Sequence, residues 1–292
     1  MNDDIRSAAL PGGCDCHTHV FLNRAAYPYS AGRRYTPAEA SVGDLERLLA
    51  RLGLTRVVIV QPSVYGTDNS ATLAALRQIG PERARGVAGI DARTPDSELH
   101  ILREGGFRGV RVNLEMDGEA DPTRAAETLR ATAARIAPLG WHIQIYSQLR
   151  LIAALADVIP SLPTPVVLDH FASARAELGP GQPGFDEVLA MLRTGRVYVK
   201  LSGAYRSSDA APYGDVAPLA RALIAADPAR LVWGSDWPHP DPHGPAGSGP
   251  TDVRPGLAIN NPAVLGLLDG WTGDPAVKRA ILVDNPDRLY FS

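Results

Sequence analysis

The sequence predicts an α/β protein, a single (β/α)8 TIM-type barrel. Eight short apolar or β-branched runs recur along the 292 residues, and stretches with helical spacing separate them. Runs such as Val57-Val58-Ile59-Val60 are apolar on both faces, as parallel strands covered on both sides must be. No Gly-x-Gly-x-x-Gly follows the first run, which weighs against a doubly wound nucleotide-binding sheet. One barrel commonly uses about 250 residues, and no linker divides the chain. One domain over 1–292 is therefore expected, with 1–12 as an extension and 238–261 as a loop over the barrel mouth.

The elements follow in order. The first strand is expected over 14–20 and the second over 56–63. Between them, Thr36-Pro37 with Glu39 reads as a helix start with a capping box. Val42, Leu45, Leu48, Leu49 and Leu52 then form one apolar helical stripe. Further strands are expected over 86–91, 109–114, 142–147, 165–170, 197–203 and 231–237. Thr94-Pro95 and Asp121-Pro122 repeat the cap-and-proline signal. Gly53, Gly80, Gly105, Gly140 and Gly195 sit where helices should stop.

Composition narrows the function classes. The net charge of -3 has no basic stripe behind it, so neither nucleic acid nor a membrane surface is expected as partner. Only Lys200 and Lys278 are lysines, so a cation in a pocket will mostly be a guanidinium suited to carboxylates. The N-terminal stretch lacks a long apolar segment, and the two cysteines, Cys14 and Cys16, make no disulfide framework. A cytoplasmic protein with structural cysteines is expected, as a monomer or small homo-oligomer.

Barrel enzymes build their sites at the C-terminal strand ends, and polar residues gather there. Asp15, His17 and His19 end the first strand on one side of the pleat, with Cys14 and Cys16 on the other. Gln61 and Ser63 end the second, Asp91 the third, Arg111 and Asn113 the fourth, and Gln144 and Tyr146 the fifth. Asp169-His170 ends the sixth, Ser202 the seventh with Arg206 beyond, and Asp236 the eighth with Trp237 and His239 beyond. His17-Thr18-His19 puts two imidazoles on one face. With His170 and Asp236, two uses are open. In the first, a divalent ion is held by His17, His19, His170 and Asp236 with one position left for water. Alternatively, the imidazoles donate hydrogen bonds to a carbonyl while Asp236 acts as base. Arg111 and Arg206 are candidate anion contacts. Lys200 reads as an ion-paired interior lysine, His100 as surface, Trp233 and Trp237 as packing, and His239 and His243 as loop residues that gate or are solvated.

At these residues a resemblance enters. "DCHTHV", "LDH", "WGSDWPHP" and "DNPDRLY" resemble the amidohydrolase superfamily, in its lactonase branch. "YTPAEA", "QPSVYGTDN", "RGVRVN" and "KLSG" are similar to the families that open pyrone dicarboxylates and sulfomuconolactones. The resemblance implies a distorted (β/α)8 barrel and hydrolysis of a small carboxylated lactone in aromatic or sugar-acid catabolism. It implies no required cofactor in the pyrone branch, and one Zn2+ in the sulfomuconolactone branch. Asp236 would activate water; His17, His19 and His170 would polarise the carbonyl; Tyr35, Ser63, Arg111, Tyr146 and Arg206 would hold the substrate. The pyrone pattern has a further arginine where this chain has Asp117, which points to a lactone with fewer or differently placed acids. A related isomerase branch shares "SGAYRSS" but lacks the paired histidines and the strand-eight aspartate; the intact set favours hydrolysis. The alternatives are a metal-dependent decarboxylase of an aromatic or muconate-type acid, and a binding protein on a retired barrel.

Overall fold

A computed structural model describes residues 9–242, 244 and 247–292. His243 lies outside the described residues. Eight parallel strands run in chain order around a barrel: β1 (Leu10–Thr18), β2 (Leu54–Val60), β3 (Ala84–Ala88), β4 (Phe107–Asn113), β5 (His142–Tyr146), β6 (Val166–Leu168), β7 (Val197–Ser202) and β8 (Leu231–Gly234). Closure between β8 and β1 is made near the mouth. The Asp236 N–H donates to the His17 carbonyl at 2.8 Å, and the His19 N–H to the Trp237 carbonyl at 2.8 Å. Deeper down, the Asp15 carboxylate accepts the Ser235 N–H at 2.9 Å.

The outer ring contains α1 (Val42–Leu52), α2 (Ser70–Ile79), α3 (Asp96–Glu104), α4 (Pro122–Ile136), α5 (Leu149–Ala154), α6 (Phe185–Arg193), α7 (Ala217–Ala226) and α8 (Asn261–Thr272). The whole predicted stripe of α1 is buried. Asp121 caps α4, with Pro122 at the first helical position. The capping box is a correction. Thr36-Pro37 is not a helix start but pairs in parallel with Val253–Arg254, and Ser41 with Asp44 forms the box of α1 instead. Local sequence offered two capping signals, and the contact with residues more than 200 positions away decided between them.

Each predicted strand has a counterpart, and all eight end one to three residues early. β6 stops at Leu168 rather than 170, and β8 at Gly234 rather than 237. The polar residues beyond leave the ladder and turn into the mouth. A second correction concerns β1. Its pairing register is broken between Asp15 and Thr18. Strict alternation therefore fails there. Cys14 and Cys16 pack with Val58, Val60, Val87, Val232 and Tyr290 in an apolar plug below the histidines.

One glycine is required by this packing. A Cβ on Gly234 would lie 2.6 Å from the Cβ of His17. Only a bare backbone lets β8 approach β1 closely enough to seat that ring.

Candidate active site

The mouth is covered by the segment after β8. Pro240 and Pro242 from it line a cavity of about 230 Å3 with His19, Tyr35, Ser63, Arg111, Tyr146, Arg206 and Asp236. The Arg254 guanidinium braces the segment by donating to the carbonyls of Pro242, Ser248 and Gly249. His17 and His170 lie deeper, and His170 faces an adjoining cavity of about 190 Å3.

Asp236 is the centre of the site. Its Oδ2 accepts from Arg206 Nε at 2.6 Å and from the Tyr205 hydroxyl at 2.7 Å. Three imidazole Nε2 atoms face the same carboxylate: His19 at 3.5 Å, His17 at 3.6 Å and His170 at 4.0 Å. Burial alone would push this carboxyl up, but Arg206, His170, His19 and His17 together hold it well below the usual carboxylate range. It is an anion in a dry site.

The second aspartate, Asp169, lies behind His17. Its Oδ2 accepts from Gln144 Nε2 at 3.0 Å and from Arg111 Nε at 3.2 Å. Its Oδ1 is 3.3 Å from His17 Nδ1 and 3.6 Å from Lys200 Nζ. Burial is again overcome, here by His17, Lys200 and Arg111, and the group is held ionised. Lys200 is thus an ion-paired interior lysine, as expected. His17 stands between the two carboxylates, one at each ring nitrogen.

The other rings are fixed by neighbours. His19 Nδ1 donates to the Val60 carbonyl at 2.8 Å, since a carbonyl only accepts. In neutral His19 the Nε2 lone pair then points at Asp236, an arrangement that calls for a proton or cation between them. His170 Nδ1 shares a hydrogen bond with Ser202 Oγ at 3.0 Å, and burial pushes His170 down to about 4. Desolvation, reinforced by Lys200, also holds His17 well below the usual histidine range.

The backbone pays for this geometry. His170 to Ser173 are four successive non-glycine residues at positive φ, from 49° to 60°, and Asp236 has φ of 64°. Each such residue costs of order 1–3 kcal/mol, and such strain concentrates where side chains must be aimed. Gly203, at φ of 58°, keeps room for the result, since a Cβ there would lie 2.9 Å from His170 Nδ1.

The structure therefore brings together all nine predicted site residues. It does not bring in Gln61, which accepts from Thr72 Oγ1 at 2.6 Å and donates to the Asp68 carbonyl, or Asp91, which pairs with Arg93. His239 is not solvated; it is buried edge-on against Tyr205. Trp233 is core and His100 is exposed. Tyr205, Arg34 and Glu115 were missed. Tyr205 precedes Arg206 on the one-turn helix Ala204–Ser207, so its place beside the arginine was its only signal. Asp117 lines a side cavity with Arg111 and Ser63 rather than the main one.

The chain is similar over nearly its whole length to known proteins. The chain is 36% identical over 295 residues to the 2-pyrone-4,6-dicarboxylate hydrolase of Comamonas testosteroni, covering 97% of this chain and 91% of that protein. It is 34% identical over 294 residues to the 4-sulfomuconolactone hydrolase of Hydrogenophaga intermedia, covering 98% and 91%. The crystal structure of a probable 2-pyrone-4,6-dicarboxylic acid hydrolase from Acinetobacter baumannii, with citric acid bound, superposes with a TM-score of 0.80 at 26% identity, covering 96% of this chain and all of that one. A family model described as Amidohydrolase matches residues 14–291. With the histidine pair, the third histidine and the strand-eight aspartate converged at one barrel mouth, this chain belongs to the amidohydrolase family.

Proposed function

We propose that the protein hydrolyses a carboxylated lactone by water attack on the ring ester. One observation carries it: a buried, ionised aspartate faces three imidazoles at the base of a cavity whose walls hold three arginines. The substrate carboxylate sits among Arg34, Arg111 and Arg206, which sets the ester carbonyl over the imidazoles. Asp236 takes a proton from water as the water oxygen bonds to the carbonyl carbon. His17 and His170, with a proton on Nε2, stabilise the oxyanion. The ring C–O bond then breaks, and the proton passes from Asp236 to the leaving oxygen. Arg206 also tunes the base. Its Nε donates to Asp236 at 2.6 Å, and the residue also lines the cavity. A bound carboxylate draws positive charge away from Asp236 and makes it more basic when water attacks.

The same residues fit a divalent cation. The ligand atoms of His17, His170 and Asp236 lie within 4.8 Å of one another. His17 Nε2 and Asp236 Oδ1 are buried without a hydrogen-bond partner among the described residues. His19 Nε2, 3.5 Å from Asp236 Oδ1, lies beside this compact set and is placed to join it. When bound, a zinc ion supplies Lewis-acid polarisation of the carbonyl and a more acidic water.

The cavity charge favours one carboxylate over two. Arg111 is paired with Asp169, Arg206 with Asp236, and Glu115 adds a further acid to the wall. Of the lining arginines, Arg34 alone makes no hydrogen bond or ion pair among the described residues. The test is a panel of mono- and dicarboxylated lactones, with and without chelator, read by loss of lactone and release of acid equivalents. Ring opening is expected, fastest with a monocarboxylated lactone. Inertness toward the whole panel, with CO2 released from an aromatic or muconate-type acid instead, would overturn the proposal.

A further inference from the structure

His17 Nδ1 is contested. Lys200 Nζ lies 3.3 Å from it, and Asp169 Oδ1 also lies 3.3 Å from it. The two neighbours demand opposite things. An ammonium has only donors, so toward Lys200 the nitrogen must offer its lone pair. A carboxylate has only acceptors, so toward Asp169 it must carry the proton. A neutral imidazole has one proton, and satisfying one neighbour forfeits the other. The choice reaches the cavity through the other nitrogen, because His17 Nε2 faces Asp236 at 3.6 Å. If Lys200 wins, Nε2 carries the proton and the ring is a hydrogen-bond donor to a substrate oxygen. If Asp169 wins, Nε2 presents a lone pair and the ring is a metal ligand.

The surroundings favour Lys200. Asp169 already accepts from Arg111 and Gln144 on its Oδ2, and its Oδ1 has Lys200 nearby. Lys200 is fully buried and held by Gln144 Oε1 at 2.7 Å, so it cannot turn away to solvent. Gln144 fixes both rivals, since its oxygen accepts from Lys200 while its nitrogen donates to Asp169.

We infer that Lys200 is a positioning residue that keeps the His17 proton on Nε2, and that it thereby lowers the affinity of the His17–His170–Asp236 cluster for a divalent cation. This rests on the proposal that the cluster can hold such an ion. Lys200 is thus the residue that tips the site between carbonyl binding by imidazole and cation binding.

The experiment uses the full chain with 15N-labelled histidine, free of substrate. The His17 resonances are assigned by their absence in His17→Asn. In the metal-free parent the proton is expected on Nε2. Zinc affinity is then read by competition with a chromophoric chelator for the parent, Lys200→Met and Lys200→Gln. Lys200→Met should bind zinc about tenfold more tightly, the scale on which groups behind a metal ligand act. Lys200→Gln keeps an N–H donor without the charge and should stay nearer the parent. A proton found on Nδ1 in the parent overturns the inference. So does equal tightening in both variants, because loss of charge alone would then explain it, and so does unchanged or weaker zinc binding. Should Lys200→Met fail to fold, the parent tautomer and Lys200→Gln decide. None of these readouts needs turnover, so a failure of the lactonase proposal would show separately, as inertness in the lactone panel.

Discussion

The ends of β6 and β8 are built alike and do different work. Each presents a buried aspartate whose Oδ2 is tied to an arginine and one further donor, and whose Oδ1 faces His17. Asp169 is walled in by Arg111, Gln144 and Lys200, while Asp236 lines the cavity. The first is a charge store that orients a ring. The second has an oxygen within reach of a bound molecule. Two nearly identical ion pairs thus become a scaffold and a candidate base through access alone.

Variants that treat the two aspartates alike should separate them. Asp236→Asn removes the base, and kcat on a lactone that the parent turns over should fall by about 10²–10⁴. Stability, followed by urea unfolding, should change less than in the matching Asp169 variant. A parent-like rate would transfer the role of base elsewhere. Asp169→Asn strands Lys200 and Arg111 in the interior, and breaking a buried pair this way costs about 3–5 kcal/mol. A loss under about 1 kcal/mol would mean that the Asp169 pairings are replaceable, and the contrast with Asp236 would dissolve.

Gly234→Ala tests whether the β8 end needs its close approach to β1. The added methyl meets His17, so overpacking of about 1–3 kcal/mol is expected together with a drop in kcat. Full activity with normal stability would mean that the seat of His17 is loose.

The gentlest test is pH. Burial holds His142 at about 3, and His170 and His239 at about 4, from an ordinary 6.5; it lowers His17 in the same sense. Groups with a depressed folded value stabilise fully above 6.5 and lose that contribution as pH falls toward 4, because the unfolded chain binds the protons first. Asp15 acts in the opposite direction, since burial raises it from 3.8 to about 7. Its contribution is present at low pH and is lost as pH rises through about 7. The histidines outnumber it, so unfolding between pH 4.5 and 6 should take up about three protons, and Tm should fall on acidification. A Tm that rises toward pH 4.5 would contradict buried neutral imidazoles.

Much of the site was legible because barrel topology converts sequence position into place. Each β/α unit returns the chain to the same end, so residues at strand ends are neighbours whatever their separation. His17, His170 and Asp236 could be grouped on that rule alone. The rule does not aim a side chain. The strands stop short at β6 and β8, and the last residues are turned inward by positive φ at His170 and Asp236, which no periodicity announces. The side of the pleat taken by Cys14 and Cys16 was misjudged because a broken register in β1 cannot be seen from alternation.

Sequence alone determined the barrel, the order of its strands, the apolar stripe of α1 and the four polar residues that must meet, since these follow from periodicity and from chain return. Tertiary structure decided how they meet. It set which carboxylate is enclosed and which is reachable, put Tyr205 and Arg206 on Asp236, and placed Lys200 and Asp169 in competition for one nitrogen of His17. Those outcomes depend on distances of a few tenths of an ångström between residues far apart in the chain, and hydrogen-bond chemistry turns on such distances while residue patterns do not.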